Sequence, residues 1–255
     1  MRPTRGSDQG SGVVITGGGT GIGRATARAF ADSGADVLIV GRSESTLAET
    51  AAGCRRIRYL VTDISEPDAP EKIVNFAQRE VGRIDVLVNN AVVISPAVLG
   101  EIDRAATEKQ IATTLYAPLF LTQCALPALE ASGGTVVNIS TAGSLGRRGW
   151  RGMSVYGAGK VALDFLTRTW AVELAPRGIR VVAIAPGVID TGIGERMGWS
   201  PEENARHLEQ RRASIPAGRT GRPEEIAWWI MQLTKPEAGY ASGIVLPLDG
   251  AAFLS

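Results

Sequence analysis

Histidine is almost missing from this sequence: His207 is the single one in 255 residues, and cysteine occurs only as Cys54 and Cys124. Two isolated thiols are too few for a disulfide framework, and one imidazole in a polar helical stretch does not make a metal site. A reducing, metal-free interior is therefore expected. Excess charge of either sign is missing too, with 27 basic against 26 acidic residues. That balance implies neither a nucleic-acid stripe nor a membrane-surface patch. The opening stretch MRPTRGSDQGSG has arginines but no apolar segment of the kind a secretion signal needs, so residues 1–11 are expected to be a flexible tail. No run is expected to be long and apolar enough to span a bilayer. A soluble, cytoplasmic protein acting on a small molecule is the expectation.

What is abundant is apolar sequence, 44% of the chain, enough for a sizeable core in one large α/β domain. Short β-branched runs, VVIT (13–16), VLIV (37–40), IRYLV (57–61), DVLVNN (85–90), TVVNIS (135–140), IRVVAIA (179–185) and GIVLPL (243–248), are candidate strands. All are continuous apolar runs, the pattern of strands covered on both faces. Helical stretches lie between them at 22–33, 68–81, 103–130, 155–175 and 223–234. Repeated βα units of this kind predict a doubly wound, seven-stranded parallel sheet with helices on both faces, and ligands at the strand carboxyl ends. From Ile189 to Arg222 the chain is polar and punctuated by glycine, which suits a lid. One helix is expected within it, with Ser200 as N-cap and Pro201 in the first position.

TGGGTGIG, Thr16 to Gly23, follows the first strand and opens the first helix. Glycines permit a tight turn there and let a phosphate approach the helix amino terminus. Tyr156 and Lys160 stand four apart at the start of a later helix, which places them on one face about 6 Å apart along the axis. An ammonium ~5 Å from a phenol oxygen favours the phenolate by roughly 3 kcal/mol at an effective dielectric of ~20. On that basis the phenol would fall from ~10 toward 8 and exchange protons near neutral pH.

The T-G-x-x-x-G-x-G spacing after a first strand resembles the signature of the short-chain dehydrogenase/reductase family. Further marks follow in the same order: Asp63 in VTDIS, NNAV at 89–92, Tyr156 with Lys160, APGVIDT at 185–191, and the closing GRTGRPEEIA and VLPLDGA. The resemblance implies a single Rossmann-type domain over residues 12–255, with a lid at about 189–222. It implies an NADP(H) or NAD(H) site built from Gly17, Gly19, Thr20, Gly21, Ile22, Gly23, Asp63, Ile64, Asn90, Ala91, Val92, Pro186, Gly187, Ile189 and Thr191. It also implies that Tyr156 is the catalytic acid/base, and that Lys160 both supports it and holds the nicotinamide ribose.

Other residues place this chain within that pattern or depart from it. Gly41 stands where an acid would bind the ribose hydroxyl of NAD, and Arg42 and Ser43 follow, so NADP(H) is favoured over NAD(H). The hydroxyl that anchors the substrate oxygen is Thr141 if the strand register from Asn138 is kept, or Ser140 if the spacing to Gly143 is kept; the register argument leans to Thr141. Thr114 replaces the asparagine that in the family supports a water relay to the lysine, and Val92 replaces the glycine of N-N-A-G. Arg147, Arg148 and Arg151 surround Trp150 and suit a solvated basic loop better than a grip on an anionic substrate. Apolar residues on more than one face of 103–130 and 155–175 suggest a homodimer or homotetramer, as is common in the family.

The expected activity is reduction of a ketone, or oxidation of the secondary alcohol, by hydride transfer. A cofactor-binding sensor or structural protein is the alternative, permitted by Val92 and Thr114. An epimerase or dehydratase on a related scaffold is a third possibility, which the glycine spacing and short carboxyl-terminal region disfavour.

Overall fold

The computed structural model describes residues 10–146, 149–196 and 198–254, which leaves out most of the expected tail and also Arg147 and Arg148. The chain runs β1 (Gly12–Thr16), α1 (Gly21–Asp32), β2 (Asp36–Gly41), α2 (Glu44–Ala51), β3 (Ile57–Val61), α3 (Ala69–Glu80) and β4 (Val86–Asn89). It continues through α4 (Arg104–Ile111), a π-helical turn (Ala112–Tyr116), α5 (Ala117–Ser132), β5 (Thr135–Ile139), α6 (Ser154–Leu174) and β6 (Arg180–Pro186). Last come α7 (Ile193–Arg196), α8 (Pro201–Arg212), α9 (Pro223–Thr234) and β7 (Val245–Leu248).

All seven strands are parallel, in the order β3-β2-β1-β4-β5-β6-β7. Register explains why each run is apolar throughout. Val14, Leu38, Leu87, Val136 and Val181 face one layer with α3, α5 and α6. Their neighbours Val13, Val37, Val86 and Val182 face the other layer with α1 and α9. Period-2 alternation thus feeds two cores at once.

Three details differ from the sequence reading. The helix α2 is an addition, capped by Ser43. The single helix expected over 103–130 is interrupted by the π turn, where Ala117 donates to the Ala112 carbonyl five residues back. Pro118 is the cause we assign: it has no N–H to give the preceding turn, so the ladder widens there. The third correction concerns bilayer-length runs. Among the described residues, Arg104–Ser132 is long and apolar enough by length and composition, with mean hydropathy 1.2. Ala117, Leu121, Ala125 and Leu129 pack in the core on the sheet, while Tyr116 and Phe120 of the same segment are exposed.

Between β6 and α9, Ser200 forms a complete capping box with Glu203 at the start of α8. The flanking chain is tied to itself by a bridge between Ile189 and Gly221.

Candidate active site

The connections from β1 and β4, adjacent in the sheet, run to opposite sides, and a cleft opens at their carboxyl ends. Its volume is about 850 Å³, large enough for a dinucleotide and a small substrate together. At its base the glycine turn passes from β1 into α1. Gly17 (φ 67°) and Gly21 (φ 50°) adopt the left-handed conformation that glycine alone takes without strain. Thr20 is the N-cap of α1, yet its side chain makes no capping bond, so the helix keeps free amides at the cleft wall.

Asn90 fixes this turn from β4. Its side-chain amide donates to the carbonyls of Thr16 and Gly17, while the backbone amides of Asn90 and Ala91 donate to the Thr16 hydroxyl. Gly23 does not line the cleft. It is buried on the first turn of α1, where an added Cβ would overlap the Gly17 carbonyl oxygen and lie 2.7 Å from the Asn90 amide. Its role is to let helix and turn touch.

The other residues expected at the dinucleotide site converge as follows. Gly17, Gly19, Thr20, Gly21, Ile22, Arg42, Ser43, Asp63 and Ile64 line one part of the cleft, and Asn90, Ala91 and Val92 its centre. Pro186, Gly187, Ile189 and Thr191 close the far side. Arg42 is exposed and 3.9 Å from Asp63; Lys109 of α4 approaches the same carboxylate oxygen at 3.8 Å. Burial pushes Asp63 upward, but two hydrogen bonds from Ser65 and the two cations prevail and hold it below the usual carboxylate value.

Tyr156 and Lys160 rise on one face of α6 beside the end of β5. The Thr141 side chain lies on the cleft wall with the tyrosine and acts on its hydroxyl. Ser140 Oγ lies 3.3 Å from that of Ser144. Both candidate anchors lie just beyond β5 on the cleft wall, and Thr141 is the one whose side chain acts on the phenol. The Lys160 ammonium is 3% exposed, donates to the Ile139 carbonyl at 2.6 Å, and lies 6.0 Å from the Tyr156 ring centre.

This geometry corrects the expected acidity. Burial pushes the Tyr156 phenol up to about 12, against the help of the Thr141 hydrogen bond. Burial likewise pushes Lys160 down to about 8, opposed by Asp164. The ammonium is aimed at a carbonyl rather than at the phenol oxygen, so the cost of desolvating a phenolate outweighs the attraction. At neutral pH the pair therefore stands as a neutral phenol beside a protonated lysine.

The structure also separates Thr114 from the cleft. Its methyl packs toward Gly159, and its buried hydroxyl has no hydrogen-bond partner among the described residues. Thr113, the neighbouring residue on the π turn, lines the cleft instead.

The sequence reading did not single out the apolar cleft residues Val93, Ile94, Val188 and Ile193, although Val188 lies within APGVIDT. It gave Trp150 no contact; that ring lies parallel to Tyr156, 6.3 Å away, and against Gly143. The reading also passed over Asp164, although its spacing from Lys160 repeats that of Lys160 from Tyr156.

Comparison with known proteins adds the following. Residues 17–251 match the family model described as enoyl-(acyl carrier protein) reductase. A 3-oxoacyl-(acyl-carrier-protein) reductase of Thermotoga maritima is 35% identical over 247 residues, covering 95% of this chain and 97% of that protein. The L-xylulose reductase of Homo sapiens is 33% identical over 240 residues, with 93% and 94% covered. A solved short-chain dehydrogenase/reductase of unknown function from Caenorhabditis elegans, with cofactor, superposes with TM-score 0.90 at 33% identity over 96% of both chains.

Proposed function

Because this chain belongs to the short-chain dehydrogenase/reductase family, and so is an NAD(P)-dependent oxidoreductase, we propose that it reduces a ketone with NADPH, Tyr156 giving the proton. The observation that carries this reading is the gathering of Tyr156, Thr141 and the buried Lys160 on one cleft wall, with the Lys160 ammonium 6.0 Å from the Tyr156 ring centre. The free amides of α1, the glycine turn and Asp63 are donors and acceptors suited to a dinucleotide. When bound, that cofactor supplies the hydride, which no side chain can.

The protein's own groups do the rest. Thr141 donates a hydrogen bond to the substrate carbonyl oxygen. As that oxygen gains charge, Tyr156 passes it a proton, and the Lys160 ammonium stabilises the phenolate left behind. A phenol held near 12 is a proton donor at rest, so the resting charge state serves reduction. Oxidation of the alcohol needs the phenolate and should gain with rising pH. Both curated relatives quoted above are named as reductases. Val92, Val93, Ile94 and Ile193 would accommodate the apolar body of the substrate, and the segment 189–222 would close over it.

NADPH is preferred in this reading because β2 ends in Gly41 rather than an acid, with Arg42 and Ser43 next on the cleft wall. The test is a screen of ketones followed at the reduced-nicotinamide absorbance. Turnover faster with NADPH than with NADH is expected. Replacing Arg42 by alanine should raise the KM for NADPH about 10- to 100-fold, as loss of a charge-assisted contact does, and leave that for NADH within about twofold. Equal changes for both cofactors would remove the NADP preference, and a chain inert toward all carbonyls would remove the reductase reading.

The outward faces of the π turn, α5 and α6 expose Tyr116, Phe120, Val161, Phe165 and Val172, the last two at 63% and 76%. We propose that a second copy of the chain covers them, giving a homodimer or homotetramer. Phe165→Glu should then shift the sedimentation coefficient toward that of a single chain of 26.8 kDa. A wild-type chain that already sediments as a monomer would end this proposal.

A further inference from the structure

Asp164 lies one helical turn beyond Lys160 and two beyond Tyr156, and it is only 3% exposed. A carboxylate buried on the core side of a helix is costly unless its surroundings offset the charge. Its Oδ2 is 2.6 Å from the Ser144 hydroxyl. The same hydroxyl lies 2.6 Å from the Thr141 carbonyl oxygen and 3.3 Å from Ser140 Oγ. Ser144 has one proton and serves the carbonyl or the carboxylate in turn.

Oδ1 is equally enclosed, and among the described residues no group reaches it within hydrogen-bond distance. Ser140 and Ser144 from the β5–α6 turn, and Arg168 and Lys160 from α6, favour the charged form. Burial opposes them and sets Asp164 above the usual carboxylate value. In the other direction, among the described residues Asp164 is the charged group that acts on Lys160; the neighbouring Tyr156 is neutral and Ile139 offers only its carbonyl. The end of β5 is thus held by α6 at the Ile139 carbonyl through Lys160, and the turn that follows it is held at the Ser144 hydroxyl through Asp164.

We propose that Asp164 is a positioning residue of this site: through Ser144 it fixes the turn that presents the Thr141 hydroxyl to Tyr156, and its charge sustains the Lys160 ammonium one turn away. The proposal rests on the acid/base reading above. It assigns a task to a buried acid that the Tyr-Lys pair leaves unexplained. It also accounts for a site in which the Thr114 hydroxyl, without a partner among the described residues, gives Lys160 no support.

The test follows Lys160 directly. The chain has four lysines, Lys72, Lys109, Lys160 and Lys235, so its side chain can be titrated by NMR with labelled lysine and assigned with Lys160→Met. The wild-type midpoint should fall near 8. In Asp164→Asn it should drop by roughly one pH unit, as loss of an opposite charge one turn away predicts. NADPH-dependent ketone reduction should then lose its alkaline limb at correspondingly lower pH, and Asp164→Glu should restore both. A folded Asp164→Asn chain with an unmoved Lys160 midpoint would overturn the proposal.

Ser144→Ala keeps the carboxyl and cuts the link to the turn. It should lower kcat about tenfold while leaving the KM for NADPH unchanged; an unchanged kcat would overturn the positioning half, whether or not Asp164→Asn folds. The titration needs no turnover. A chain inert toward ketones but with a shifted Lys160 would count for Asp164 and against the acid/base reading.

Discussion

Replacing Tyr156 by phenylalanine should lower kcat for ketone reduction by about 10³-fold, within the 10²–10⁴ that a positioned proton donor contributes, or about 4 kcal/mol of barrier. The substitution removes one oxygen and keeps the ring, so the parallel contact with Trp150 survives. Lys160 retains its bond to the Ile139 carbonyl, and affinity for NADPH should stay within about twofold. Measuring kcat, the NADPH dissociation constant and the thermal midpoint on one preparation separates chemistry from folding. Full turnover in the phenylalanine variant would dismiss Tyr156 as the donor, whatever the cofactor does.

The second large effect is expected at Gly23, a residue outside the cleft. Alanine there places a methyl on the Gly17 carbonyl oxygen and against the Asn90 amide. Gly17 has little freedom to yield: it is in the left-handed region, its own amide donates to the Val40 carbonyl at 2.7 Å, and its carbonyl accepts from Asn90 at 3.2 Å. The turn must therefore shift as a unit, carrying the α1 amides with it. Overpacking of this kind costs about 1–3 kcal/mol, a fall of several degrees, at about 2–4 °C per kcal/mol, in the thermal midpoint of a chain this long. NADPH binding, followed by fluorescence titration, should weaken by about 30-fold or more, because displaced amides no longer converge on one anion. Binding within about threefold of wild type would mean that the turn does not hold the cofactor.

Much of this architecture is legible along the chain because its causes are local. The seven apolar runs became seven parallel strands, since burial on both faces leaves no polar alternation. Ser200 and Pro201 announced α8, because an N-cap and a first-turn proline are local signals. The π turn at Ala112–Tyr116 was also written locally, in Pro118, yet the apolar content of 103–130 masked it as one helix. Asp164 was passed over for the opposite reason: its spacing was visible, but a polar residue on a long helix looks solvated until the β5–α6 turn is folded over it.

The sequence alone settled which residues could meet. Four-residue spacing puts Tyr156 and Lys160 on one side of any helix, and the glycines of TGGGTGIG mark a tight turn into the first helix. Tertiary structure decided how those residues behave. It turned Thr141 rather than Ser140 toward the phenol, and it made burial, not the ammonium, the stronger influence on that phenol's acidity. Side-chain direction at a strand end and the cost of desolvating a charge both depend on groups brought in from distant segments, and no stretch of sequence contains them.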